Sequence, residues 1–487
     1  MSATDEQGGA PQQAEPADDL VTTSHTVTVR NRELAYTATT GRVVLRKEVV
    51  TDGTFDGHQP HAEVFLTAYT LDDADPGTRP VTFAFNGGPG SSSIWLHLGL
   101  LGPRRVVAGD AGAPVGPPYK LVDNAETLLA HSDLVFIDPV STGFSRAVKG
   151  GKPGEHHGFQ EDLDSVGEVI RLWTTRNGRW LSPKFLAGES YGTTRAGGLA
   201  QHLQNRHGMF LNGLILISAV LDFGTLDFTE GNDLPYTLFL PTYAAIAHYH
   251  GLHGDRPLAE VLAEAEEFAS RDYPWALARG HRLSTAERSD VVTRLASLTG
   301  LSQDYVDRVN LRVEHMRFFT EVLRHERKTV GRMDGRFTGW EQDYGREHMA
   351  ADPSINGLIG AYTAAINHYL HAELGYSNDL PYEVLSFEVN KAWSYKEFQN
   401  SHVTVAERLA SAIRANPSLK VHIASGYTDG ATPYFATEHT VASLSLPEEL
   451  RSNVSIVYYE AGHMMYAHEE SRVRQGADLG AFISSAS

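Results

Sequence analysis

The chain has 487 residues, 41% of them hydrophobic and 21% charged, which supports a sizeable core and excludes global disorder. A net charge of −19 repels phosphate and anionic lipid, and the lack of cysteine removes disulfides, thiol catalysis and thiolate metal sites together. The length admits several domains, but a single α/β core carrying an insertion also reaches this size.

Met1–Leu20 is rich in Ala, Gln, Pro, Asp and Glu, with neither a basic start nor an apolar stretch, and reads as a disordered acidic tail. The longest apolar run, Leu214–Leu221, is far too short for a membrane span. The expectation is a soluble, cytoplasmic protein, monomer or homodimer, with no nucleic-acid or membrane partner. His25–Leu71 alternates with period two and is broken by Asp52-Gly53 and Asp56-Gly57, which predicts antiparallel strands joined by tight turns at both dipeptides. Val81–Phe85 and Leu134–Ile137 are short apolar runs, each ending in a polar loop, as central strands do when their carboxyl ends face a site. Leu163, Val166, Ile170 and Trp173 recur at helical spacing and predict a crossover helix leading to a strand at Pro183–Ala187. Gly188-Glu189-Ser190-Tyr191-Gly192 follows, then a helix over Thr193–His207 and a strand at Leu214–Val220.

From about Leu226 to Glu383 the pattern turns helical, with one stripe at Leu258, Val261, Leu262, Ala265 and Phe268 and another at Val291, Leu295 and Leu298. This predicts an insertion over the carboxyl edge of the sheet, with no clear strand run. Strands resume at Lys420–Ala424 and Val454–Tyr459, preceded by helices near Val405–Arg414 and Tyr434–Ser443. The division expected is a tail over 1–20, a core over 21–225, a helical cap over 226–384 and the rest of the core over 385–487.

A serine between glycines on a strand-turn-helix holds its hydroxyl clear of the backbone, as in the nucleophile elbow of α/β-hydrolases. With 45 glycines such a pattern also arises by chance, so its partners carry the argument. Asp429 lies in the loop after Lys420–Ala424, and His463 lies shortly after Val454–Tyr459. The order Ser190, Asp429, His463 is that of an α/β-hydrolase triad, in which the imidazole takes the serine proton and the carboxylate fixes the imidazole tautomer. Asn86-Gly87-Gly88-Pro89-Gly90 ends an earlier strand, and its backbone can approach a developing oxyanion with no side chain in the way; the N–H groups of Gly88 and Tyr191 are the expected oxyanion hole. A phosphate loop would end in Gly-Lys-Ser or Gly-Lys-Thr, and none follows. His248-Tyr249-His250, His156-His157 and His468-Glu469-Glu470 lack the spacing of a metal helix, and no cofactor or metal is expected.

Asn86-Gly-Gly-Pro-Gly-Ser-Ser, Asp138-Pro-Val-Ser-Thr-Gly-Phe-Ser145, Gly188-Glu-Ser-Tyr-Gly192 and Gly462-His-Met, in this order from Phe85 to Met464, resemble the serine carboxypeptidase family. The resemblance implies an α/β-hydrolase fold with N-terminal antiparallel strands and a helical cap, and removal of single residues from peptides with a free C-terminus. It also implies that Asn86, the Gly87 backbone and Glu189 hold the terminal carboxylate. Glu189 can donate to that carboxylate only when protonated, since two ionised carboxylates in contact repel. The chain departs from the family's pattern at Ser91, where many members carry cysteine, in the spacing after Asp138-Pro139, and at Met464-Met465-Tyr466. Acyl transfer or ester hydrolysis on the same scaffold are the alternatives, and a non-catalytic binding module is a further one against which the intact triad set argues.

Overall fold

The computed structural model describes residues 15–487. The first part of the expected tail, residues 1–14, lies outside the described residues. Its remainder is bound rather than loose: Asp18 Oδ1 accepts the Val44 N–H at 2.8 Å, and Asp19 and Leu20 already belong to the first strand. Among the described residues no helix is long and apolar enough to cross a membrane.

Three long antiparallel strands open the chain: β1 (Asp19–Val29), β2 (Arg32–Thr51) and β3 (Thr54–Leu71). The β2–β3 turn is Asp52-Gly53, with φ of 50° and 78°, the left-handed pair that matches strand twist in a two-residue hairpin. The turn expected at Asp56-Gly57 is not there. With the reversal already made, those residues run inside β3 opposite a register irregularity between Glu48 and Val50. The β1–β2 turn is made by Arg30 and Asn31, both at positive φ, without any glycine to signal it.

The strands β4 (Val81–Phe85), β5 (Asp133–Ile137), β6 (Lys184–Ser190), β7 (Gly213–Ala219), β8 (Lys420–Gly426) and β9 (Val454–Tyr459) form the parallel part. The sheet has ten strands in the order β1-β2-β3-β5-β4-β6-β7-β8-β9, with Arg146–Ala147 paired on β3. The central strands read as short, mostly apolar runs because both faces are covered. Alternate residues go to opposite cores: Leu214 and Leu216 pack with Leu163, Val166, Leu199 and Leu203, whereas Ile215 and Ile217 pack with Leu358, Ile366, Leu479 and Ile483. Each such buried aliphatic side chain contributes roughly 1.5–3 kcal/mol. Helices α1 (Phe159–Arg176) and α2 (Tyr191–His207) cover the first face; a C-terminal helix, Glu469–Ala486, which the sequence reading did not single out, helps cover the second.

The insertion is not uniform. Its first part builds a core of its own, in which Tyr243 and Phe318 stack with centroids 4.1 Å apart. The helix Thr285–Thr299 there starts on a Ser284/Glu287 capping box and ends at the left-handed Gly300, so its bounds are written locally. The helix Pro353–His368 instead packs into the main core through Leu358, Tyr362 and Ile366. The insertion also holds one small antiparallel pair, Thr329–Val330 with Thr338–Gly339, against the expectation of no strand. Two-residue strands carry too little alternation to show in a sequence.

Candidate active site

Parallel packing puts the carboxyl ends of β4, β6, β8 and β9 along one edge of the sheet, with β7 between β6 and β8, and Asn86, Ser190, Asp429 and His463 all emerge at those ends. Ser190 has φ 61° and ψ −131°, a conformation costly for a side-chain-bearing residue, and it sits at the start of α2. The turn is held by close backbone contact: a Cβ at Gly87 would lie 2.4 Å from Tyr191 N and 2.7 Å from Gly192 N, and one at Gly188 would lie 2.2 Å from Gly192 O. These contacts demand glycine and bring the Asn86–Gly90 loop against the helix start. The expected oxyanion donors, Gly88 and Tyr191, therefore come from adjoining segments, and the partial positive charge of the N-terminus of α2 favours an anion there.

His463 Nδ1 lies 2.8 Å from Asp429 Oδ2. Asp429 is fully buried; its Oδ1 accepts from the N–H groups of Ala431 and Thr432 at 2.8 and 2.9 Å, and its Oδ2 accepts from Thr432 Oγ1 at 2.7 Å. Burial works against the His463 imidazolium, but the Asp429 charge and hydrogen bond, aided by Glu189, outweigh it and hold His463 above the usual histidine range. His463 Nε2 is buried without a hydrogen-bond partner among the described residues, which leaves it as the nitrogen available to a serine hydroxyl. The histidine backbone is clamped as well, its N–H donating to Met333 O and its C=O accepting from Ser218 Oγ, both at 2.7 Å.

Glu189 is buried beside the serine. Its Oε1 accepts from Asn86 Nδ2 at 3.0 Å and its Oε2 from the Tyr466 hydroxyl at 2.7 Å. Asn86 Oδ1 in turn accepts the Leu96 N–H at 3.1 Å, which orients the amide so that its NH₂ faces Glu189. Burial pushes the Glu189 carboxyl up to about 7, against the lowering effect of His463 and of the Tyr466 hydrogen bond.

Three contributors escaped the sequence reading. Tyr466 stood out there only as a departure from a pattern, and that departure was the available signal. Arg195, fully buried on α2, pairs with Asp162 at 2.7 Å and donates from Nη1 to the Asn86 carbonyl at 2.5 Å, so a buried ion pair anchors the residue that orients Glu189. The segment Arg332–Phe337 reaches in from the insertion: Gly335 N–H donates to Thr428 O at 2.9 Å, and Thr428 Oγ1 donates to Asp334 Oδ1 at 3.0 Å. Neither had a local signature. Asp138, from the second motif, is buried and hydrogen-bonds none of the three expected triad residues; it accepts from Ser93 N–H, Ser93 Oγ and Tyr382 OH, and its carbonyl accepts from Ser145 Oγ, so it braces the segment after the glycine loop. The histidine clusters are engaged by other protein groups, as with His250 Nε2 at 2.8 Å from Gly335 O and His468 Nδ1 at 2.8 Å from Ser471 Oγ. A cavity of about 310 Å³ lined by Arg30, Arg32, Glu126 and His131 lies elsewhere on the molecule and contains none of these groups.

The family model described as serine carboxypeptidase matches residues 57–471. Serine carboxypeptidase-like 36 of Arabidopsis thaliana is 30% identical over 153 residues, a stretch covering 31% of this chain and 30% of that relative's length. The solved structure of Kex1, a prohormone-processing carboxypeptidase from Saccharomyces cerevisiae, superposes over 92% of this chain and 91% of its own with a TM-score of 0.56 at 14% identity, a likeness of fold.

Proposed function

Because the chain belongs to the serine carboxypeptidase family, we propose that it hydrolyses the last peptide bond of substrates with a free C-terminus, through an acyl-enzyme on Ser190. His463 Nε2 takes the hydroxyl proton as Ser190 Oγ attacks the carbonyl carbon of the penultimate residue, and Asp429 stabilises the imidazolium. The Gly88 and Tyr191 N–H groups receive the negative charge that develops on the carbonyl oxygen. The imidazolium returns the proton to the departing amino group, releasing the terminal amino acid. Water, deprotonated at His463, then cleaves the ester and restores Ser190.

The observation that carries the exopeptidase reading is the buried Glu189 between Asn86 and Tyr466, next to the serine. A carboxyl pushed up to about 7 can hold a proton at mildly acidic pH, and a protonated Glu189 can donate to an incoming carboxylate while Asn86 Nδ2 and Gly87 N–H donate beside it. A general esterase has no use for such a group. The test is an N-blocked dipeptide with a free C-terminus against its C-terminal amide. The acid is expected to be cleaved roughly ten- to a hundred-fold faster in kcat/KM, the worth of a charge-assisted hydrogen bond; equal rates refute the reading.

A further inference from the structure

Arg332 hangs from the segment that braces the triad. Its carbonyl lies 2.9 Å from where a Cβ at Gly430 would stand, directly after Asp429, and the next residue's carbonyl accepts the His463 N–H at 2.7 Å. The other arginine of the segment, Arg336, is matched, with Asp334 at 2.7 Å and Asp110 at 3.0 Å. Arg332 is not: the residue is half-buried, its guanidinium makes one side-chain hydrogen bond among the described residues, Nη1 to the Met333 sulfur at 3.8 Å, and it forms no ion pair with a carboxylate there. Its charge nonetheless reaches His463 and His315, opposing protonation of both. A half-buried guanidinium without a carboxylate partner, near His463, is suited to receive an anionic group.

Strand order says which anion. Asn86 follows β4, Glu189 and Ser190 end β6, and Asp429 with its neighbour Arg332 lies beyond β8, with β7 in between. At about 4.8 Å per strand, β6 and β8 stand roughly 10 Å apart. A terminal carboxylate held by Asn86 and Glu189 is thus on the far side of Ser190 from Arg332. A peptide placed with the carbonyl carbon of its penultimate residue at Ser190 and its terminal carboxylate at Asn86 and Glu189 carries the penultimate side chain toward the β8 side. We infer that Arg332 is a specificity residue that receives the acidic side chain of the penultimate residue, so that peptides ending in Glu-X or Asp-X are favoured. A guanidinium offers paired N–H donors to a carboxylate and cannot lose its charge, which suits it to this role.

The inference rests on the carboxypeptidase reading, and one substrate series separates the two. Blocked dipeptides with Glu, Gln or Lys before a common C-terminal Leu are compared by kcat/KM at one pH and ionic strength. The unaltered protein is expected to prefer Glu over Gln by about ten-fold or more and to disfavour Lys. In Arg332→Gln the Glu-to-Gln ratio falls to near one, and Arg332→Lys recovers part of it, which a merely structural role would not produce. Equal rates on Glu and Gln in the unaltered protein remove Arg332 from this role and leave the carboxypeptidase reading standing. A Glu preference that survives Arg332→Gln, or a uniform loss on all substrates with the ratio unchanged, also overturns it. Failure to cleave any of the series overturns the carboxypeptidase reading and the Arg332 role with it.

Discussion

The hydroxyl of Tyr466 lies 2.7 Å from Glu189 Oε2 and donates to it, in a site where Asn86 Nδ2 already donates to Oε1 at 3.0 Å. Both carboxyl oxygens are thus held by donors, which favours the ionised form against the burial that disfavours it. Tyr466→Phe removes one lowering influence, so the Glu189 carboxyl should bind its proton still more tightly. The expected outcome is an alkaline limb of the kcat/KM profile displaced upward by about one pH unit. A profile that stays in place would detach Tyr466 from Glu189.

Ser190→Ala should lower kcat by about 10⁴-fold or more and abolish labelling by a fluorophosphonate, leaving the melting temperature little changed. Labelling that persists would mean another serine is the nucleophile. Because Ser190 is at φ 61°, replacing it by Gly rather than Ala should raise the melting temperature slightly, as relief of backbone strain.

Glu189→Gln is expected to keep much of the preference for a free carboxylate, because the amide N–H can still donate to it, and to remove the alkaline limb near pH 7, because Gln has no proton to lose. The acid limb comes from His463, which must shed its proton to act as base, and it persists but moves to lower pH, because the Glu189 charge that helps raise His463 is gone. The same variant tests linkage. Glu189 binds its proton more tightly folded, at about 7, than at its ordinary 4.5, so the stability this confers is complete below pH 4.5 and lost as pH rises towards 7. Above that the buried charge costs roughly 3 kcal/mol, and Glu189→Gln should be the more stable protein at pH 8 but not at pH 4, by denaturant titration.

Arg195 and Asp162 form a fully buried pair, so removing one partner strands the other charge. Asp162→Asn should cost about 3–5 kcal/mol in denaturant titration. The double change Arg195→Met with Asp162→Leu should regain much of that stability while activity stays low, because the Asn86 carbonyl has lost its donor. Recovery of activity in the double variant would show that Arg195 serves the fold alone.

Period-two alternation in β1–β3, short and mostly apolar runs in β4–β8 and the glycines around Ser190 are local necessities of backbone geometry, so the sheet, the elbow and the positions of Asp429 and His463 at strand ends were legible from residue order. The turn misplaced at Asp56-Gly57 and the one missed at Arg30-Asn31 mark where that legibility weakens, since a bulge also uses glycine and a left-handed turn can do without it.

By itself, then, the amino-acid sequence determined on which kind of element each candidate residue sits, because spacing and glycine content act within a few residues. Only the tertiary structure decided what surrounds them. Tyr466 meets Glu189, Arg195 meets Asn86, and the Arg332–Phe337 segment meets the loops of Asp429 and His463. These contacts join residues distant in the chain, and their strength comes from shared burial in a low-dielectric interior, which no local pattern records.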